Sequence, residues 1–352
     1  MRYNFLSGTV EPNKFLSPDI LDILENSGYH AKPEKNRKKV LFLVYNKRII
    51  RPDLSSKKPK LFIPKWEEAG LKKKKELMEK AIRKCLFYVD STADVWNMAV
   101  YRDKESKKIS FFNFDQGLKK VVWVEKDHYF RELNTTKRFR EHGVHVLSHE
   151  SENENEHSLT QKLVGSPGHH SRNFHPIDQE LLRYAIETAE MKPLLFGEAS
   201  NLPVEIIELA DTADQQIRKN FWIHNNEAPY TIVHGDVNPY NLLHSEGQTW
   251  LIDFDRTFEA TAYYDFIYLW INKYDRDTEK LKNRIREINN KFYGENVVPD
   301  TVGLSLALAF FVYDNIRFIN TRCETIRDAR FTIFLLNNVK TIWPRYQEIL
   351  AE

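Results

Sequence analysis

Apolar residues recur at about every second position between residues 96 and 124, which is the spacing of half-buried strands. Strands are predicted at 96–101, 109–114 and 118–124, with short polar turns between them. Strands joined by such short turns form an antiparallel meander. A further apolar run at 40–45 predicts another strand nearer the N-terminus.

The spacing becomes helical after this sheet. Residues 127–140 predict a helix with Asp127 as its N-cap. Residues 144–147 and 158–164 predict two more strands, one on each side of a polar, acidic loop at 149–157. In the remainder of the chain the apolar residues have mainly helical spacing, and this pattern is interrupted once.

The longest apolar segment, 304–319, contains Asp314, Asn315 and Arg317, so we interpret it as a buried helix and expect no transmembrane segment. The N-terminal residues show no apolar run that resembles a signal peptide. The two cysteines are too few for a disulfide framework. Together these features predict an intracellular, cytoplasmic protein.

Charge is distributed unevenly along the chain. Residues 1–90 hold 21 Lys and Arg against 11 Asp and Glu, a net charge of +10, whereas the remainder holds 31 against 39, a net charge of −8. Two interpretations stay open. The lysines at 72–75 and their neighbours form one solvated helix face, or the segment binds an anionic partner such as a membrane head group, a phosphorylated glycan or a nucleic acid.

The interruption of the helical half lies at 231–256, where two apolar runs flank a short hairpin. The first run ends at His-Gly-Asp, with the aspartate at 236, and Asn241 follows five residues later. The second run ends at Asp253. This arrangement brings two carboxylates and a carboxamide to the ends of neighbouring strands. Phosphoryl transfer requires such a set, because one group orients the attacking hydroxyl while oxygen ligands hold Mg²⁺ against the nucleotide phosphates.

His-Gly-Asp-x-x-x-x-Asn followed by Ile-Asp-Phe-Asp resembles the catalytic loop and metal-binding segment of the aminoglycoside phosphotransferase and choline kinase superfamily. Within it, the N-lobe helix pattern and the basic extension resemble the spore-coat and lipopolysaccharide-core sugar kinase branches more than the antibiotic-modifying ones. The resemblance implies that Asp236 is the catalytic base and that Asn241 and Asp253 are Mg²⁺ ligands. Tyr-Asp-Phe at 264–266 resembles a further family segment, in which Asp265 would brace the catalytic loop through backbone hydrogen bonds.

The same resemblance implies nucleotide-binding residues in the N-terminal half. The helix at 127–140 is similar to the family's Arg-Glu helix, which makes Glu132 the expected partner of a phosphate-binding lysine. Lys120 and Lys126 are the two candidates for that lysine, and Lys120 is slightly favoured because it lies within the third strand and further from Glu132 along the chain.

The segment 158–165 is similar to the family's hinge strand, so Gln161 and Leu163 are expected beside the adenine of ATP or GTP. The turn at 103–108 lacks the glycines that protein kinases place over the phosphates, which argues against a typical protein kinase.

The expected fold is therefore α+β and bilobal, similar to protein kinases, with a small antiparallel N-lobe and a larger helical C-lobe. Residues 1–90 form a basic α/β extension, 91–168 the N-lobe and 169–352 the C-lobe. The expected function is an ATP- or GTP-dependent phosphotransferase whose acceptor is a hydroxyl of a small molecule or glycan. The alternatives are a catalytically inactive, structural kinase-like protein, and a kinase-like fold with a nucleic-acid-binding module in residues 1–90.

Overall fold

The computed structural model describes most of the chain from residue 115 onward and shorter stretches before it. The described ranges are 29–30, 38–45, 51–53, 60–62, 73–76, 86–91, 98–102, 108–113, 115–163, 166–167, 175–195, 201–245, 247–272, 277–323 and 329–349, with single residues at 23, 199 and 274. The chain divides into two compact units: the first comprises Met1–Leu133 and Leu147–Pro167, and the second comprises Asn134–Val146 and Gly168–Glu352.

The first unit is built on strands. Its strands are β1 (Tyr29–His30), β2 (Lys38–Tyr45), β3 (Arg51–Asp53), β4 (Lys60–Phe62), β5 (Leu86–Ser91), β6 (Met98–Arg102), β7 (Lys108–Asn113), β8 (Leu118–Trp123), β9 (His149–Asn153), β10 (Ser158–Lys162) and β11 (Ser166–Pro167). Eight of them form one sheet in the order β1-β5-β2-β6-β7-β8-β10-β9. All neighbours in it are antiparallel except β2 and β6, which are parallel.

The meander predicted at 96–124 is present as β6-β7-β8. The strand predicted at 40–45 is β2, and it pairs with β6, so part of the first 90 residues lies in the same sheet as the meander. The boundaries predicted at residues 90 and 168 stay a prediction. Most of the basic segment, including Lys72, lies outside the described residues, as does the turn at 103–107.

The second unit is mainly helical. The helices whose bounds the structure describes are α1 (Lys126–Glu141), which crosses from the first unit into the second, α2 (His175–Thr188), α3 (Val204–Lys219), α4 (Phe221–His224), α5 (Tyr264–Ile271), α6 (Thr278–Tyr293), α7 (Asp300–Arg322) and α8 (Arg330–Ile349). The strands of the second unit are β12 (Glu190–Pro193), β13 (Glu227–Val233), β14 (Leu242–Ser245), β15 (Gln248–Leu251) and β16 (Phe258–Thr261). The α+β class is thereby confirmed, with the largest, mainly antiparallel sheet in one unit and most of the described helices in the other.

Two local predictions differ from the structure. Residues 144–147 do not form a strand and make only an isolated parallel bridge, from Val146 to Leu251. The acidic loop predicted at 149–157 begins as a strand, β9, which pairs with β10. Its exposed glutamates stand on a sheet edge, where charged side chains are common.

The core of the second unit surrounds α7. Leu304, Phe311 and Ile316 on this helix are fully buried, which confirms the buried helix predicted at 304–319. Within the described part of the chain, α7 alone is long and apolar enough to cross a membrane, and 72% of its apolar window is buried inside the protein. Its interior polar residue Asp314 accepts hydrogen bonds from the backbone N–H and the hydroxyl of Thr261, at 2.9 and 2.7 Å.

Candidate functional site

The interruption predicted in the helical half is a loop, residues 234–241, between β13 and β14. β13 is paired on both sides, with β12 and β16, so the chain leaves a fixed sheet at Val233. The loop ends in one turn of 3₁₀ helix at Pro239–Asn241. The antiparallel hairpin β14–β15 follows and leads directly to Ile252 and Asp253. Every group in this arrangement belongs to the second unit.

Asp265 holds the start of the 234–241 loop. It lies in the first turn of α5 and is buried. Its two carboxylate oxygens accept hydrogen bonds from the backbone N–H groups of His234 and Gly235, both at 2.9 Å. Burial raises the pKa of Asp265, whereas the His234 ring and the two N–H groups act in the opposite direction. The bracing hydrogen bonds predicted for Asp265 are thus present.

Gly235 is required by the backbone at this point. Its φ is +77°, a conformation that L-residues rarely adopt. A Cβ at this position would lie 2.6 Å from the backbone oxygen of Arg256 and 3.2 Å from the ring of Phe258. The loop therefore passes too close to the segment after Asp253 for any side chain.

His234 links the loop to the strand that precedes Asp253. Its Nδ1 accepts a hydrogen bond from the backbone N–H of Asp236 at 3.2 Å, so its proton lies on Nε2. Nε2 donates to the backbone oxygen of Ile252 at 3.0 Å. The N–H of Ile252 in turn donates to the backbone oxygen of Asn241 at 3.0 Å. Both ends of the loop are therefore fixed to the residue next to Asp253.

The Asp236 carboxylate is oriented by two side-chain donors. The hydroxyl of Tyr268 donates to Oδ1, and the Asn241 amide Nδ2 donates to Oδ2 at 3.1 Å. The same Nδ2 also lies 2.9 Å from the backbone oxygen of Asp236. Asp236 is only partly buried. Since an ionised carboxylate has about four lone-pair sites, further acceptor capacity remains for an incoming hydroxyl.

Asp253 occupies an unusual backbone conformation, with φ +67° and ψ +70°. Few residues other than glycine adopt this region, and where they do the site is often functional. The next residue, Phe254, is buried and packs edge-on against the rings of His234 and Phe139, with centroid distances of 4.9 and 5.4 Å. Hydrogen bonds at Ile252 and ring packing at Phe254 thus fix the backbone on both sides of Asp253.

The oxygen groups of this site fit a Mg²⁺ ion that also binds phosphates. Asn241 turns its Nδ2 towards Asp236, so its amide oxygen lies on the other side of the carboxamide. That oxygen and the carboxylate of Asp253 are hard donors of the kind that Mg²⁺ prefers. Among the residues that the structure describes, no three His, Cys, Asp or Glu side chains are grouped to hold a metal. Mg²⁺ in phosphoryl-transfer sites typically uses one or two carboxylates and takes its other ligands from phosphates and water.

Sequence reasoning did not identify Tyr268, although a signal was available. Tyr264 and Tyr268 lie four residues apart and therefore share one face of α5. Asp265, adjacent to Tyr264, contacts the 234–241 loop, so a helix at 264–271 turns this tyrosine face towards the same region. Burial and the neighbouring Asp236 charge raise the pKa of Tyr268 far above its ordinary value, so its hydroxyl keeps its proton and remains a donor.

The candidate lysines of the first unit have other described partners. Lys120 Nζ lies 2.5 Å from Glu156, and this interaction lowers the pKa of the Glu156 carboxyl. Lys126 Nζ lies 3.7 Å from Glu154 and 5.2 Å from the centre of the Phe130 ring. The pairing of either lysine with Glu132, on α1, stays a prediction.

The expected hinge residues lie at the end of β10. Gln161 pairs with Lys119 of β8 and with His149 of β9. Leu163 follows the strand, and its backbone N–H donates to the oxygen of Gly117 at 2.7 Å. A nucleotide contact at this N–H would have to replace that hydrogen bond. The adenine-binding role of the two residues stays a prediction.

Comparison with known proteins gives one family and a set of solved structures. The family whose sequence model matches residues 120–297 is described as a phosphotransferase enzyme family. A search of curated protein sequences gives no match.

Similar solved structures include a choline/ethanolamine kinase family protein from Mesorhizobium loti, at 14% identity over 70% of this chain and 88% of that one, with a TM-score of 0.43. A thermostable mutant of aminoglycoside phosphotransferase APH(4)-Ia is 12% identical over 71% and 95%, with a TM-score of 0.42. The choline kinase LicA from Streptococcus pneumoniae is 10% identical over 66% and 89%, with a TM-score of 0.38.

The family match covers half of the chain, from β8 through the 234–241 loop and Asp253 to the end of α6. It therefore includes Asp236, Asn241 and Asp253, which together are called the oxygen-rich site below. The chain belongs to the phosphotransferase enzyme family, whose members transfer a phosphoryl group to a hydroxyl acceptor.

Proposed function

We propose that the protein transfers the γ-phosphoryl group of ATP or GTP to a hydroxyl of a small molecule or glycan. The observation that supports this most strongly is the Asp236 carboxylate, which two neutral donors, Tyr268 and Asn241, hold in one orientation. A carboxylate so fixed is suited to align an alcohol and to accept its proton as the new P–O bond forms.

Asn241 and Asp253 are proposed to hold Mg²⁺. When bound, the ion neutralises charge on the β- and γ-phosphates and fixes their position. The chain's own contribution is to keep the two oxygen donors at a set separation from Asp236. The hydrogen bonds of His234 and Asn241 to Ile252 do this, because they prevent the loop from moving independently of Asp253.

The nucleotide is proposed to contact residues of the first unit. Lys120 or Lys126 would bind phosphate oxygens, Glu132 would orient that lysine, and the backbone at Gln161 and Leu163 would face the base. A cytoplasmic location is part of the proposal, since the phosphoryl donor is a nucleoside triphosphate. An anionic partner for the basic residues 1–90 stays a prediction.

The experiment that tests the proposed function is a nucleotide-turnover screen with sugars, aminoglycosides, choline-like alcohols and glycan fragments as acceptors. Asp236→Asn should lower acceptor-dependent turnover by roughly two to four orders of magnitude, the typical contribution of a general base. Asp211→Asn, on the exposed face of α3, is the matched control and should retain wild-type turnover. Equal turnover in wild type and Asp236→Asn would remove Asp236 from the mechanism.

A further inference from the structure

Arg256, three residues after Asp253, is held in one place by aromatic rings and a hydroxyl. Its guanidinium lies 4.5 Å from the centre of the Phe318 ring and 4.8 Å from that of Phe331. Its Nη2 donates to the hydroxyl of Thr332 at 3.0 Å. Contacts of this kind restrict a guanidinium and lower the entropy it loses when it binds a ligand.

The charge of Arg256 is not balanced by a carboxylate in the part of the chain that the structure describes. No Asp or Glu of that part lies within ion-pair distance of its guanidinium, which forms a side-chain hydrogen bond with the buried Tyr264 instead. Its Nε is buried and has no hydrogen-bond acceptor. A partly buried cation without a carboxylate partner is costly, and an anion bound to its remaining Nη donors would reduce that cost.

The guanidinium of Arg256 is connected to the proposed catalytic base through the side chains of Phe331 and Tyr268. Phe331, which stacks on its guanidinium, is 6.5 Å from the ring of Tyr268, and the Tyr268 hydroxyl donates to Asp236. The backbone oxygen of Arg256 is also the atom that a Cβ on Gly235 would approach to 2.6 Å. A continuous set of contacts within the second unit therefore links the guanidinium to the Asp236 carboxylate.

The aromatic residue that stacks on Arg256 and its neighbour Phe334 are both exposed to solvent. Phe331 and Phe334, in the first turns of α8, expose 41% and 53% of their surface, and their rings stack at 6.5 Å. Exposed aromatic side chains next to a cation with free donors provide both an apolar contact surface and a charged anchor for a small molecule.

We propose that Arg256 determines acceptor specificity by binding a carboxylate or phosphate group on the alcohol that Asp236 activates. This inference rests on the proposed function and narrows its substrate class to anionic alcohols. A guanidinium suits both anions because its parallel N–H donors match two oxygens of either group. An acceptor anchored there by its anion would present a hydroxyl to the neighbouring carboxylate of Asp236.

Calorimetric binding to the full-length chain tests the proposal without turnover. The probes are two matched pairs, galacturonate with galactose and glycerol 3-phosphate with glycerol, each measured with Mg²⁺ and a non-hydrolysable ATP analogue. At least one anionic member should bind about tenfold or more tightly than its neutral partner, the usual scale of a charge-assisted contact. The two pairs separate a carboxylate-binding site from a phosphate-binding site.

Two variants of Arg256 and one control test whether this residue causes the preference for the anionic probe. Arg256→Gln should reduce the preference for the anion to less than about threefold, and Arg256→Lys should retain part of it, because the charge remains but the fork of donors is lost. Arg286→Gln removes an equal charge from a surface pair with Asp300 and should keep the full preference. A thermal melt of each variant checks that it is folded.

The proposal is overturned if no anionic probe binds more tightly than its neutral partner in wild type, or if folded Arg256→Gln keeps the preference. Failure of the proposed function has a different signature, since it appears as nucleotide turnover that does not depend on Asp236, whatever the binding preference.

Discussion

The oxygen-rich site of the second unit and the two candidate lysines of the first, Lys120 and Lys126, differ in how their charged groups are held. Asp236, Asn241 and Asp253 lie on a backbone that is fixed by buried hydrogen bonds through Asp265 and His234. By contrast, Lys120 and Lys126 pair with glutamates at the end of the β9–β10 hairpin, and the exposed fractions of the Lys126 and Glu154 side chains are 59% and 65%.

This difference indicates which side chains already have their binding geometry before a ligand binds. Buried hydrogen bonds resist rearrangement because a broken donor or acceptor is left without water. Exposed ion pairs exchange readily and are worth little, typically about 0–1 kcal/mol. We therefore expect the second-unit site to be preorganised for phosphoryl transfer, while the lysines of the first unit exchange their glutamate partners for a nucleotide phosphate.

The largest expected effect compares two glycines with the same backbone conformation. Gly235 and Gly117 have φ values of +77° and +65°, but a Cβ meets the Arg256 oxygen at 2.6 Å in the first case and nothing within 4 Å in the second. Gly235→Ala should lower turnover at least roughly a hundredfold, because the loop that carries Asp236 must shift and small displacements of catalytic groups are costly. Gly117→Ala should only destabilise the fold, by about 1 kcal/mol.

Turnover assays and denaturant unfolding of both alanine variants distinguish these outcomes. Equal effects at the two positions would show that conformational strain alone matters, and would remove the argument that the close approach to Arg256 positions the loop.

The next largest effect concerns the choice of lysine. Lys120 is less exposed than Lys126, at 19% against 59% for the side chain, and lies within β8. Lys120→Met should raise the KM for nucleotide about tenfold, the scale of one charge-assisted hydrogen bond, whereas Lys126→Met should change it less than about threefold. Steady-state kinetics with varied nucleotide measure both. The reverse ranking would assign the phosphate contact to Lys126.

The last comparison concerns stability alone, and the effect of pH has opposite signs in the two units. Burial raises the pKa of Asp314 from 3.8 to about 6, so its contribution to the free energy of unfolding is present below pH 4 and is lost as the pH rises through 6. The hydrogen bond from Lys120 lowers the pKa of Glu156, so its contribution is present above pH 4.5 and is lost as the pH falls.

Denaturant unfolding at a series of pH values measures these contributions. Asp314→Asn should become more stable relative to wild type by about 3 kcal/mol between pH 4 and 7, since its side chain no longer titrates. Glu156→Gln should show the opposite trend with a smaller amplitude, because Glu156 is half exposed. A pH-independent difference for Asp314→Asn would contradict the effect assigned to burial.

The sequence predicted the elements that short-range patterns determine. The meander, the helix α1 and the hairpin β14–β15 follow from residue spacing, and the bracing role of Asp265 follows from the resemblance of 264–266 to a family segment. Contacts between distant segments were not predictable in the same way. Arg256 meets Phe331 and Thr332 only because α7 intervenes and returns the chain, and nothing in the local sequence indicates that approach.

In the first unit, too, a contact between distant segments could not be predicted from the sequence. Lys120 and Glu156 are separated by 36 residues and meet because β8 pairs with β10 on one side, in addition to its neighbour in sequence, β7, on the other. The sequence indicated the lysine and the strand but not the partner, since any of several glutamates at 150–156 has the same chemistry.

The central claim is that Asp253 binds metal and Asp236 acts on the acceptor, although both are aspartates in one site. The most direct test measures binding of a non-hydrolysable ATP analogue with and without Mg²⁺ in wild type, Asp253→Asn and Asp236→Asn. Mg²⁺ should tighten binding by about tenfold or more in wild type and Asp236→Asn, and by less than about threefold in Asp253→Asn. Full Mg²⁺ dependence in Asp253→Asn, or its loss in Asp236→Asn, would contradict this division of roles.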